Sequence, residues 1–437
     1  MRMVGLAWVM AALIGTSAAW GDAPKLELEH RETRLGRLPE RTLPDQVSVS
    51  PDGKRIAYLA SKGVKVMVVV DGKESKLYEW IVGNHIGFTA DSQHVVYQIR
   101  RDDKLVMVID NTEGPAYAAM DGWICSPQGG RVAYVAKKHG RFVPVIDGVE
   151  GKAYDTARLG ALTEMGHVAL VAGIGGKDCL VVDGVEGRLF DEIQDVRMSP
   201  DGKRVAYRAQ RNADQWYMVV DGVPGKAYPQ VQPPCLSADG RRVGYLAGSD
   251  QQQVLVVDGQ ELPTAAGRPV AGPVFSPDGK RLAYVVAKEG DTAAVVVDDV
   301  TGPVYDSVSH VGFSPDGQRV AYVAQRGSRS TVVLEGIEQG QFEKVDPDSV
   351  TFSGDGRHLA WVASREGKQF IVVDGVEGKP YDRILFHNGL GFADNQTIFA
   401  IAALERQIQR PREDNSDQVI PIRRYDLVGL EISINAR

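Results

Sequence analysis

The sequence predicts an all-β fold, a β-propeller of about ten four-stranded blades. Three observations predict it. One unit of about 38 residues recurs along nearly the whole chain. Each unit holds two tight-turn signals set between short runs of β-branched residues. No long segment carries the apolar period of a helix.

The first turn phrase marks the units. Ser50-Pro51-Asp52-Gly53 runs into Lys54-Arg55-Ile56-Ala57-Tyr58, and Ser199-Pro200-Asp201-Gly202 into Lys203-Arg204-Val205-Ala206-Tyr207. Close copies open at Ser276 and Ser314, and weaker ones at Thr89, Ser126, Ser237, Ser353 and Ala393. A tenth is required near Thr163, where the turn phrase has decayed but His167-Val168-Ala169-Leu170-Val171-Ala172 keeps the strand. The starts (50, 89, 126, 163, 199, 237, 276, 314, 353 and 393) are spaced by 36 to 40 residues.

The second phrase is Asp-Gly at the end of a β-branched run, as in Val70-Asp71-Gly72, Ile146-Asp147-Gly148 and Val373-Asp374-Gly375. Glycine tolerates the positive φ that such hairpin turns demand. Each unit therefore holds four extended pieces. The first ends before Ser-Pro-Asp-Gly, the second is the Val-Ala-Tyr run, the third precedes Asp-Gly, and the fourth is short and carries Tyr or Phe. The second is apolar on both faces. Its tyrosines (Tyr58, Tyr97, Tyr134, Tyr207, Tyr245, Tyr284, Tyr322, with Trp361 as a variant) point one way. Its small residues (Ala57, Ala133, Ala169, Ala206, Gly244, Ala283, Ala321, Ala360) point the other. A strand buried on both faces needs a sheet on each side, and a closed ring supplies that to every blade. One ring of ten is the first expectation; two smaller propellers, dividing near residue 163 or mid-chain, are the alternative. Lys25-Leu26-Glu27-Leu28-Glu29 alternates like a strand that could pair with the last blade and lock the ring. In that blade a polar insertion is expected from about Glu405 to Asp417.

Composition agrees with many hairpins. Glycine is 48 of 437 residues, about 11% against a usual ~7%. Net charge is −7, with basic residues dispersed. Nucleic-acid binding needs a concentrated basic face, so no nucleic-acid partner is expected. Residues 1–19 read as a signal peptide: Arg2, an apolar stretch from Met3 to about Ile14, then Ser17-Ala18-Ala19 as the cleavage site, with Gly21 as the alternative. The remaining 20–437 form the propeller, periplasmic or extracellular, with no membrane insertion after cleavage. Cys125, Cys179 and Cys235 form no Cys-x-x-Cys pair and read as small buried side chains, with no metal or cofactor implied.

The phrase Phe275-Ser276-Pro277-Asp278-Gly279-Lys280-Arg281-Leu282-Ala283-Tyr284 resembles the repeat of the TolB-like, WD-repeat-like propellers of exported bacterial proteins, as does Phe313-Ser314-Pro315-Asp316-Gly317. The likeness spans roughly residues 45 to 400 and implies a fold rather than an activity. The tandem Val-Asp-Gly-Val-Glu-Gly phrase lies outside that family's general pattern, and ten units exceed the six blades of its namesake.

The acidic turns could in principle hold Ca²⁺, but Asp and Ser in such turns ordinarily bond their own backbone. The two turn types should share one face of each blade. Recognition falls to the remaining loops, whose candidate binding residues are Trp80, His85, Trp123, His310 and His387. No Gly-x-Ser-x-Gly elbow or His-Glu-x-x-His motif is present, so no catalytic residue is assigned. The expected function is a non-catalytic scaffold of the periplasm or cell surface that binds a protein or glycan partner. The alternative is a propeller enzyme, of hydrolase or lyase type, with its site at the central channel.

Overall fold

The protein is described by a computed structural model covering residues 26–39, 42–249, 252–264, 267–386, 390–411 and 419–436. The leader at 1–19 lies outside these residues. Ten antiparallel sheets follow one another along the chain, and among the described residues the only helical pieces are three single 3-10 turns. Blade 3 shows the pattern: Ala119–Cys125, Val132–Lys138, Arg141–Ile146 and Val149–Glu150, hydrogen-bonded in that order. First strands of successive blades pack against one another, so the sheets converge on their first strands and radiate outward to their fourth.

The ring is single and closed. A buried cluster sits at every junction between blades. Ala57 and Val68 meet Tyr97 and Val106 at junction 1/2, and Ala206 and Met218 meet Tyr245 and Val256 at 5/6. Val49 and Ile56 of blade 1 meet Leu385 and Ile401 of blade 10 at the last junction. The alternative of two smaller propellers is therefore corrected: the unit at Thr163 is a full blade. Its turn is merely one residue shorter, with Gly166 N–H donating to Thr163 O (3.1 Å) and His167 N–H to Thr163 Oγ1 (3.0 Å).

Large-against-small packing across each junction is the reason for the ring. Ala57, Ala133, Ala206 and Ala360 are fully buried, as are Tyr97, Tyr207 and Trp361. At several junctions an aromatic ring at the outer edge of one blade meets the next blade edge-to-face: Tyr117 on Tyr134 (6.3 Å), Phe190 on Tyr207 (6.2 Å), Phe342 on Trp361 (6.3 Å). Such pairs add about 0.5–1.5 kcal/mol beyond area burial.

Closure uses both chain ends. Leu26–Arg37 pairs antiparallel with Val419–Ala436, which pairs with Thr397–Pro411. The expected polar insertion at Glu405 begins later than that, because the strand carries on through Pro411. The separate strand-like runs after it are one strand, Val419–Ala436.

Candidate functional site

The two turn types do share a face, and they rivet the blades together. The serine of each Ser-Pro-Asp-Gly turn is buried; Ser276 Oγ donates to Asp278 Oδ1 (2.7 Å) and accepts from Arg281 N–H (2.9 Å). The Ser276 hydroxyl, the Lys280 ammonium and the Lys280 N–H hold the Asp278 carboxyl down at about 2. The Asp-Gly carboxylate caps the second strand of its own blade, as in Val243 N–H to Asp258 Oδ1 (2.9 Å), and its other oxygen takes Arg242 Nε (2.5 Å). Arg242 then donates to Gly279 O of the next blade (3.1 Å) and lies over Phe275, 5.3 Å from the ring centre. Arg55 over Phe88 and Arg281 over Phe313 repeat the arrangement, and Arg319 over Phe352 keeps the ring contact and the bond to the next blade, Gly356 O, without the carboxylate. These turn carboxylates are engaged in holding backbone and arginine. Among the described residues no group of three His, Cys, Asp or Glu is placed to share a metal ion.

The wall formed by the first strands is different. Second and third strands pair without a break, but first strands are interrupted at one recurring level. Register shifts fall between Ile81 and Ile86, Met120 and Trp123, Leu159 and Ala161, Gln194 and Arg197, and Ser309 and Gly312. In blades 6, 9 and 10 the first strand is split in two at the same place. Bulges unpair backbone and re-aim side chains. Asp195 and His310 sit in them with φ of 51° and 52°.

Here the sequence-based placement needs correcting. Trp80, His85, Trp123 and His310 lie on first strands (Trp80–Phe88, Ala119–Cys125, Ser307–Phe313), not on loops. Gly, Asp and His at the bulges read as loop punctuation in a sequence, whereas the chain on either side still pairs. Trp80 is exposed (58%) opposite Arg100, at the start of its strand. His310 is exposed in blade 8, away from the others. His387 lies outside the described residues.

Blades 2 and 3 bring part of the set together. A cleft of about 400 Å³ opens between their first strands, lined by Val82, Gly83, Met120, Asp121 and Trp123, with Gln98 reaching in from the second strand. Gln98 Nε2 donates to Asp121 O (3.2 Å), and Gly122 N–H to Asp121 Oδ1 (2.8 Å). Trp123 packs against Gly87, where a Cβ would stand 2.4 Å from the indole Cζ2. Gly87 is thus the residue that seats the tryptophan. His85 is on the strand that forms one side of this cleft.

Sequence reasoning missed Gln98 and Arg208. They occupy one position of the second strand, two residues past the small one, where Val135, Leu246 and Val362 stand elsewhere. Arg208 pairs with Asp195 in its own blade's bulge and donates to Val231 O of blade 6 (3.2 Å). A polar residue breaking an apolar column of the repeat was the available signal. Of the cysteines, Cys179 is buried while Cys125 and Cys235 are half-buried; burial pushes the Cys235 thiol up.

Fold and site together define a ten-bladed β-propeller whose central wall carries its variable chemistry. No protein-family model matches the chain, and no curated protein sequence matches it. Solved structures are similar to it at low identity. A crystal structure of the eukaryotic initiation factor is 13% identical over 76% of this chain and 97% of its own, with a TM-score of 0.47. A putative TolB from Agrobacterium tumefaciens is 18% identical over 44% and 84%, with a TM-score of 0.27. An oligogalacturonate lyase in complex with manganese is 13% identical over 62% and 95%, with a TM-score of 0.30. The ring of ten rests on the chain's own sheets and junctions, not on these likenesses.

Proposed function

We propose that the protein is a non-catalytic binding scaffold of the periplasm or cell surface, exported by residues 1–19, and that it holds a protein or glycan partner at its central wall. One observation supports this above the rest. Wherever the repeat is strict, side chains are consumed in building the ring; the first-strand bulges are where it relaxes and where an indole, an amide and a carboxylate face one cleft. Recognition sites on rigid scaffolds commonly take this form, an apolar surface with a few placed polar groups.

The test uses mature protein, residues 20–437, immobilised and exposed to a cell-envelope extract. A defined protein or glycan should be retained by the wild type and lost from a Gln98→Ala, Trp123→Ala variant whose melting remains cooperative. Equal retention by both, or turnover of envelope polysaccharide by the wild type, would overturn the reading.

A further inference from the structure

Three departures from the repeat meet at the cleft between blades 2 and 3. Trp123 stands three residues before its turn phrase, a place filled in every other blade by an aliphatic residue, glycine or proline, such as Ile86, Gly160, Val196 or Pro273. Gln98 stands where the other blades have an aliphatic residue or, in blade 5, Arg208. Asp121 falls in the bulge between Met120 and Trp123. The buried cluster that closes this junction, Val96 and Met107 against Tyr134 and Val145, leaves Trp123 at its margin.

All three side chains reach solvent: Asp121 is exposed, and Gln98 and Trp123 are half-buried. They line one cleft of about 400 Å³, whose apolar part is Val82, Ile86 and Met120 with the indole. Their hydrogen-bonding capacity is only partly used. Gln98 gives one N–H to Asp121 O (3.2 Å), which leaves its amide oxygen and second N–H. Asp121 Oδ1 takes Gly122 N–H (2.8 Å), and its Oδ2 has no partner among the described residues. No cation among those residues lies within 4 Å of this carboxylate, unlike Asp195 in the bulge of blade 5, which Arg208 neutralises. The cleft thus presents an aromatic surface, two oxygen acceptors and one amide donor.

That set fits a pair of hydroxyls. A hydroxyl both donates and accepts, so two neighbouring ones serve the carboxylate, the amide oxygen and the amide N–H together. An ammonium from a protein side chain only donates and would leave the amide N–H unanswered. A pyranose whose hydroxyls are equatorial also has a flat face of axial C–H groups to lay on an indole, with its hydroxyls directed outward around the ring. The uncompensated charge of Asp121 opposes an anionic sugar. We propose that the cleft binds a neutral pyranose with equatorial hydroxyls, its C–H face on Trp123 and two adjacent hydroxyls on Asp121 and Gln98. This rests on the binding reading above and narrows its partner to a glycan. A volume toward the low end of ligand pockets takes one or two rings of it.

The probe is cellobiose, titrated by calorimetry into the full mature chain beside glucuronic acid at neutral pH. Cellobiose should bind and glucuronate should not. Trp123→Val and Gln98→Leu install residues that other blades carry at these places (Val196, Leu246), so both keep the fold. Trp123→Val should abolish measurable binding, and Gln98→Leu should weaken it by up to about tenfold, the worth of one neutral hydrogen bond. Asp121→Asn keeps an oxygen for Gly122 N–H. It should weaken cellobiose by about tenfold or more, as expected for a bond to a charged group, and admit glucuronate, a gain that loss of a merely structural residue would not give. Trp80→Ala, outside the cleft, should change neither titration. Absence of cellobiose binding at millimolar concentration overturns the inference, as does wild-type binding of glucuronate as tight as that of cellobiose. If cellobiose fails while an envelope protein is still retained by the wild type and lost from the Gln98→Ala, Trp123→Ala variant, the glycan alone falls; if both fail, the binding reading falls with it.

Discussion

Blades 6 and 10 build the same outer seam from different parts of the chain. In blade 6 the fourth strand, Gln260–Leu262, follows directly on the third, and Glu261 accepts the Tyr228 hydroxyl (2.8 Å) and pairs with Lys226 (2.6 Å). In blade 10 the fourth strand is Leu26–Arg37 from the opposite end of the molecule. Its Glu32 accepts the Tyr381 hydroxyl (2.9 Å) and pairs with Lys379 (3.4 Å). The seam is therefore specified by a side-chain pattern rather than by chain connectivity. A blade edge that offers a phenol and an ammonium at fixed spacing selects any strand that brings glutamate into register. One residue of slippage would turn Glu32 to the wrong face.

The strongest way to break this equivalence is to remove one partner of it. A chain lacking residues up to Arg37 leaves the Asp426–Ala436 edge without its partner and takes away Arg37 from Asp426, which is 3% exposed (2.8 Å). Free edges recruit other chains. The truncated protein should lose its cooperative thermal transition and elute as aggregate on size exclusion. Replacing Gln260–Leu262 by Gly-Ser-Gly should lower the midpoint yet leave a single transition, because blade 6 stays covalently placed by its neighbours. A truncated chain that melts as the wild type does would mean that closure needs no latch.

Next in size is the contrast between interior blades and the closing one. Trp361 fills the large position of blade 9 and is fully buried, while blade 10 has Ala400 at the same register. Trp361→Ala should cost about 3–5 kcal/mol by chemical denaturation, from lost transfer energy plus the cavity left behind. Ala400→Trp should cost about 1–3 kcal/mol through overpacking, since the two long strands beside it already fill that space. If Ala400→Trp stabilised the protein instead, blade 10 would be under-packed rather than differently packed.

Alkaline titration sharpens the comparison further. Burial pushes Tyr207 and Tyr245 up to about 12, and Tyr97, Tyr322, Tyr117, Tyr228 and Tyr381 are raised as well. In the unfolded chain these phenols ionise near pH ~10. Over the interval above that, the folded state holds protons that the unfolded state has lost, so stability falls as pH rises. The urea midpoint should be unaffected by these groups below about pH 10 and drop between about pH 10 and 12. Tyr207→Phe should reduce the slope of that drop. An unchanged slope would mean that Tyr207 ionises freely in the fold.

Much of this architecture was legible in the residues. Ser50, Asp52 and Asp71 announce turns because their side chains bond their own backbone, and Ala57 beside Tyr58 announces a strand with a large and a small face. The alternation from Leu26 pointed to the latch. What was not legible follows from geometry between residues distant in sequence. Trp123 is readable as a loop residue until Gly87, on the neighbouring blade, is seen to lie beneath it. The first strands look like loops because their bulges carry Gly, Asp and His where a regular strand would alternate.

The smallest effect is the most direct measure of whether the two seams are the same. Glu32→Gln and Glu261→Gln each keep an oxygen for the tyrosine hydroxyl and remove the charge facing Lys379 or Lys226. Both ion pairs are largely exposed, so each is a weak, salt-screened contribution. The two variants should lower the melting midpoint by the same small amount at low ionic strength, and the difference from wild type should vanish for both in high salt. If the seam were held by connectivity in blade 6 and by glutamate in blade 10, Glu32→Gln would cost clearly more than Glu261→Gln and keep that excess in salt. The charge would then be setting the register of a strand that nothing else anchors, which a screened surface pair cannot do.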